Sequence, residues 1–149
     1  MKGKLIKPEL LKKEQLRIDK RLKYIFNDPI YDGIIDEKKY YDSPVKILWI
    51  LKEVNDEGGY NQRDSLRNNI TIKNRGDGWW KTLDPVIYIS YSIMNNFITW
   101  KELSYITDKP EMIDVLKHIT YINIKKDAGG PVSFENILNI GYNRYKDNP

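Results

Sequence analysis

At 149 residues, 40 % hydrophobic and 31 % charged, the chain fits one soluble domain with a real core, and it holds no apolar run near the roughly 20 residues of a membrane helix. It has no cysteine, which excludes disulfides, thiolate zinc sites and iron–sulfur clusters, and its one histidine argues against a histidine-based metal site or a Ser-His triad. The net charge of +4 is spread along the chain and permits nucleic-acid binding without requiring it, while the basic start Met1-Lys2-Gly3-Lys4 lacks the apolar core of a signal peptide, so a cytoplasmic location and no membrane partner are expected.

Leu11, Ile18, Leu22 and Ile25 share one helical face, Pro8 suits a first turn, and Asn27-Asp28-Pro29 ends the run, so residues 8–26 are predicted as an amphipathic helix. Residues 30–44 read as a loop with Asp32-Gly33 as its turn. The apolar run from Val45 to Leu51, broken only by Lys46, reads as a strand covered on both faces. A short helix is expected over Arg63–Ile70, then a loop at Asn74–Gly78. A helical region follows from Trp79, interrupted or restarted at Asp84-Pro85. Asp108-Lys109-Pro110-Glu111 signals another helix, running to about Lys117. It feeds a second strand at Ile119–Ile124, and Ser133 caps a last helix with Phe134, Ile137, Leu138, Gly141 and Tyr145 on its face. The alternation predicts a single α/β domain over residues 1–149, its core at about 45–146, with two parallel strands joined by a right-handed helical crossover. Two strands bury their faces poorly, so either Thr71-Ile72 or Tyr40-Tyr41 adds to the sheet or the chain is part of a longer domain.

Ligands of open α/β sheets sit beyond the carboxyl ends of the strands. Lys52-Glu53-Val54-Asn55-Asp56 lies there after the first strand, and Asn123 with Lys125-Lys126 after the second. Each residue also has a purely structural reading. Glu53 suits a helix cap or a pair with Lys52, and Asp56 suits a turn. Asn123 can satisfy loop backbone, Trp79-Trp80 can belong to the core, Lys125-Lys126 can form a solvated turn, and His118 can sit at a helix end.

The segments Ile50–Asp56, Tyr121–Lys126 and Ala128–Phe134 resemble motifs of the uracil-DNA glycosylase superfamily. In that superfamily the first core strand ends in a carboxylate or amide that handles the attacking water. A later strand ends in an Asn that reads the flipped base, and a Pro-containing loop and helix follow. The resemblance implies a small parallel sheet flanked by helices in a three-layer α/β/α domain, and hydrolysis of an N-glycosidic bond in single-stranded or damaged DNA. It assigns Glu53 and Asp56 to catalysis. It assigns Asn123 and Asn55 to substrate contact, Tyr60 and Trp79 or Trp80 to stacking, and Lys125 and Lys126 to phosphate. No cofactor and no metal ion are expected. Lys52 stands where the superfamily usually has Gly, no proline follows, and the terminal motif, often His-Pro-Ser, has no counterpart before Pro149, so the resemblance is to an incomplete or divergent member. The alternatives are a non-catalytic nucleic-acid-binding relative, or a protein-interaction module with a vestigial cleft.

Overall fold

Helix α1 (Pro8–Ile25) opens the fold of a computed structural model, which describes residues 7–55, 58–74, 78, 80–130, 132 and 134–146. Its Pro8 needs no N–H partner in the first turn, and Glu9 and Lys23 sit at the dipole ends that favour them. Leu22 and Gln15 are the buried residues of its inner face. Gln15 acts as a surrogate strand partner. Its Oε1 accepts from the Ile34 backbone N–H at 2.5 Å, and its Nε2 donates to the Ile34 carbonyl at 3.2 Å and to Glu37 at 3.0 Å. The close approach requires Gly33, whose φ of +129° favours glycine and where a Cβ would land on the Gln15 amide.

That clamp defines an element where a loop is expected. Residues 30–44 form strand β1 (Gly33–Ile34) and helix α2 (Glu37–Asp42), the latter N-capped by the Asp36 side chain on Lys39 N–H. Tyr40-Tyr41 therefore belongs to a helix, and Ile72 to a 3-10 turn. The third strand is β1 instead. Strands β2 (Ile47–Leu51) and β3 (Ile119–Asn123) pair in parallel, as the crossover argument expects, and β1 pairs antiparallel with β3, in the order β1-β3-β2. The fold is mixed α/β, a small three-stranded sheet flanked by helices.

Helix α3 (Gln62–Asn68) is capped by Asn61 and packs Leu66 into the core. Helix α4 (Trp80–Met94) runs unbroken through Pro85, which leaves the carbonyl four residues earlier, that of Lys81 in the first turn, without its helical donor. The segment Pro110–His118 is a 3-10 helix rather than an α-helix, unusually long for its type. Its tighter winding carries the chain about 2 Å per residue, and it buries Met112, Val115 and Leu116 against α4 before delivering β3. Helix α5 (Glu135–Lys146) closes the chain; the Ser133 cap lies outside the described residues.

One face of the sheet carries the core. Ile47, Trp49 and Leu51 lie in register with Ile119, Tyr121 and Asn123, and this face meets α4 and the 3-10 helix. Trp49 Nε1 donates to the buried Ser90 hydroxyl of α4 at 2.9 Å. The other face of β2 is not covered as the apolar run predicts: Leu48 and Ile50 are 51 % and 59 % exposed. A continuous apolar run marks a two-face-buried strand only where a layer packs on each face, and the face of β2 that carries Leu48 and Ile50 is left open. Among the described residues, no helix is long and apolar enough to cross a membrane.

Candidate functional site

The parallel register sets Leu51 opposite Asn123, so β2 and β3 end level with each other. Their continuations stay joined: Ile124 N–H donates to the Leu51 carbonyl and Lys125 N–H to the Lys52 carbonyl, each at 2.9 Å, and Gly129 N–H donates to Val54 at 2.8 Å. This seam turns the two segments around a cleft of about 450 Å³ whose walls include Glu53, Asn55, Tyr60, Gln62, Tyr121 and Asn123. Four residues singled out from sequence, Glu53, Asn55, Tyr60 and Asn123, therefore meet there. Asp56 and Trp79 lie outside the described residues. Trp80 is a core residue at 4 % exposure.

Glu53 is held from two sides. Its Oε2 lies 3.2 Å from Lys125 Nζ, with the two side chains only 5 % and 10 % exposed. Its carboxyl also packs on Gly129, where a Cβ would overlap it. Lys125 also donates to the Ala128 carbonyl, and Gly141 of α5 leaves room for its stem.

Asn123 is 2 % exposed and sits at the floor. Its backbone N–H donates to Asp32 Oδ2 at 2.7 Å, and its Nδ2 donates to Asp32 Oδ2 at 3.3 Å and to Gln62 Oε1 at 2.7 Å. Lys126 Nζ completes the arrangement at 2.8 and 2.9 Å from the two Asp32 oxygens. The expectation that Lys125 and Lys126 reach phosphate meets a different placement: both are buried, with their ammonium groups on internal carboxylates. Burying a lysine is tolerable only with such a partner. Burial, with the charges of Tyr60 and Asp32 nearby, pushes the Tyr121 phenol well above its ordinary range, so it stays protonated and able to donate.

His118 lies away from this cleft, its Nδ1 2.9 Å from the Ser43 hydroxyl and its Nε2 3.6 Å from Asp114. Ser43 donates to the Lys39 carbonyl at 2.7 Å and is buried, which is a helix C-cap and not an exposed nucleophile.

Sequence reasoning missed Asp32 and Gln62. Asp32 reads as a turn residue beside Gly33; the available signal was an acid set within Ile30–Ile35, a stretch otherwise free of charge. Gln62 carries no signal, because its role depends on where α3 docks. Among the described residues, no group of three or more His, Cys, Asp or Glu side chains is arranged to hold a metal ion. No protein-family model, curated protein or solved structure matches this chain.

Proposed function

We propose that the cleft receives a nucleobase and that the protein is a glycosylase-like hydrolase of the N-glycosidic bond in DNA, built as a uracil-DNA glycosylase-like α/β/α domain. The observation that carries this reading is the level ending of β2 and β3, which brings Glu53 and Asn123 into one cleft. A base taken out of the stack would lie between Tyr60 and the Asn123 floor. Glu53 would orient a water toward the anomeric carbon, accept its proton as the C–O bond forms and the C–N bond breaks, and offset positive charge on the sugar. The base leaves with the bonding pair. With Lys125 and Lys126 committed internally, phosphates would meet exposed cations flanking the cleft residues, Lys52 and Lys81.

The test is single-turnover excision from uracil-containing single-stranded and mismatched duplex DNA with protein in excess. Glu53→Gln, checked for folding by circular dichroism, should slow excision by about 10²-fold and leave DNA affinity nearly unchanged. Absence of excision by the wild-type chain removes the enzymatic reading. A second reading, a protein-interaction module, is favoured by one observation: Phe97, Trp100 and Tyr105 are 71 %, 71 % and 72 % exposed.

A further inference from the structure

We infer that Asn123 and Gln62 read a ligand jointly, one as acceptor and one as donor, with the polarity of the pair fixed by Asp32. The inference deepens the base-pocket reading and rests on it. Its starting point is the supply of hydrogens at the floor. A primary amide has two N–H donors and one carbonyl acceptor. Asn123 directs Nδ2 at Asp32 Oδ2, 3.3 Å away, and at Gln62 Oε1, 2.7 Å away.

The orientation of the amide follows from its neighbours. Turned over, Asn123 would set its oxygen against an Asp32 carboxylate that only accepts, and that carboxylate is itself anchored by Lys126 and by the Asn123 backbone N–H. Nδ2 must therefore face Asp32, and both of its hydrogens are taken. What Asn123 can offer a ligand is Oδ1 alone. Gln62 has the converse constraint: its Oε1 is the acceptor for Asn123, so Nε2 is the group it can offer. Both residues line the cleft. The floor thus presents an acceptor beside a donor, drawn from two residues on different elements.

The complementary ligand is a planar heterocycle with an N–H next to an acceptor, as in a lactam or an amidine edge. Asp32 touches no ligand in this scheme. It is a positioning residue that acts through Asn123.

Titration of 1-methyluracil and 1,3-dimethyluracil into the full chain, followed by nuclear magnetic resonance, tests this. 1-Methyluracil keeps an N–H between its two carbonyls and should bind at least about tenfold more tightly than 1,3-dimethyluracil, which has no ring N–H and leaves the buried acceptor unpaired. Gln62→Met removes the donor and should weaken 1-methyluracil by about tenfold. A readout independent of any ligand is hydrogen exchange at the Asn123 side-chain amide. It should be slow in the wild-type chain and accelerate in Asp32→Asn. Equal binding of the two compounds, or a freely exchanging amide in the wild-type chain, overturns the inference. If excision of uracil is nevertheless observed, the base-pocket reading survives that loss. Failure of 1-methyluracil to bind, together with absent excision, removes both.

Discussion

The cleft end of the sheet and the segment after α4 break the ordinary inside–outside rule in opposite directions. At the cleft, Asp32, Asn123, Gln62, Lys125 and Lys126 are all buried. In the segment 95–105, Phe97, Trp100 and Tyr105 stand in solvent. The first inversion is held by reciprocal bonds: every buried cation there faces a carboxylate, and the amides bond to each other. The second is held by backbone. Asn96 and Phe97 adopt φ of 60° and 58°, Phe97 N–H donates to Ser92 at 2.8 Å, and Ser92 Oγ donates to the Ile98 carbonyl at 2.6 Å. Trp100 keeps one edge on Tyr88, ring centroids 5.2 Å apart, and Tyr88 in turn accepts from Ile106 N–H at 2.9 Å. Polar groups can be buried if each finds a partner. Exposed aromatics need no partner, only a chain conformation that keeps them out.

Breaking a partner should therefore cost far more at the cleft than removing a ring at the loop. Lys126→Met would leave Asp32 buried without its cation and should destabilise the protein by about 3–5 kcal/mol. Urea unfolding measures it. The double variant Asp32→Asn/Lys126→Met should recover part of the loss, because no uncompensated charge remains. A single-variant loss under about 1 kcal/mol would show that water already reaches the pair.

The contrast also explains what the sequence could tell. Periodicity and end signals were sufficient for α1, for β2 and β3 and for their parallel pairing, because each has an apolar pattern of its own. They failed at β1, whose two residues form a strand only because Gln15 and β3 bond to them. They failed also at Pro110–His118, where apolar spacing near three and near four residues is hard to separate. At the site, Glu53 and Asn123 were legible as polar groups at strand ends. The roles of Asp32 and Gln62 depend on contacts spanning 91 and 61 residues of sequence, which no local pattern encodes.

At the aromatic loop, substitution should raise stability slightly or leave it unchanged. A non-glycine residue in the left-handed region costs on the order of 1 kcal/mol or more, and Phe97 at 71 % exposure recovers little of that by burial. Phe97→Gly relieves that strain but loosens the unfolded chain, and the net gain should be within about 1 kcal/mol. Thermal unfolding reads the sign. A clear destabilisation would mean that the ring packs in solution, and the comparison between the two regions would lose one side.

The smallest effect belongs to a third ion cluster, at the surface, which calibrates the buried one. Partial burial pushes the Asp114 carboxyl up, but hydrogen bonds and charge from Lys39 and Lys117 outweigh it and hold the group at about 2, below its ordinary 3.8. A carboxyl depressed in the folded state adds stability that is fully present above the unfolded value and is lost as pH falls through the folded one, here between about pH 4 and pH 2. Lys39 Nζ lies 2.5 Å from Asp114, with the side chains 38 % and 43 % exposed. Lys39→Ala should therefore raise the Asp114 titration toward 3.8 without reaching it, since Lys117 remains 2.9 Å away. Carboxyl carbon resonances followed through acid pH measure the shift. At about 1 M salt, where screening acts over about 3 Å, the wild-type shift should shrink while the Lys126→Met penalty persists. Equal salt sensitivity of the two would place the Asp32–Lys126 pair in contact with solvent, and would undo the argument that its burial fixes the floor of the cleft.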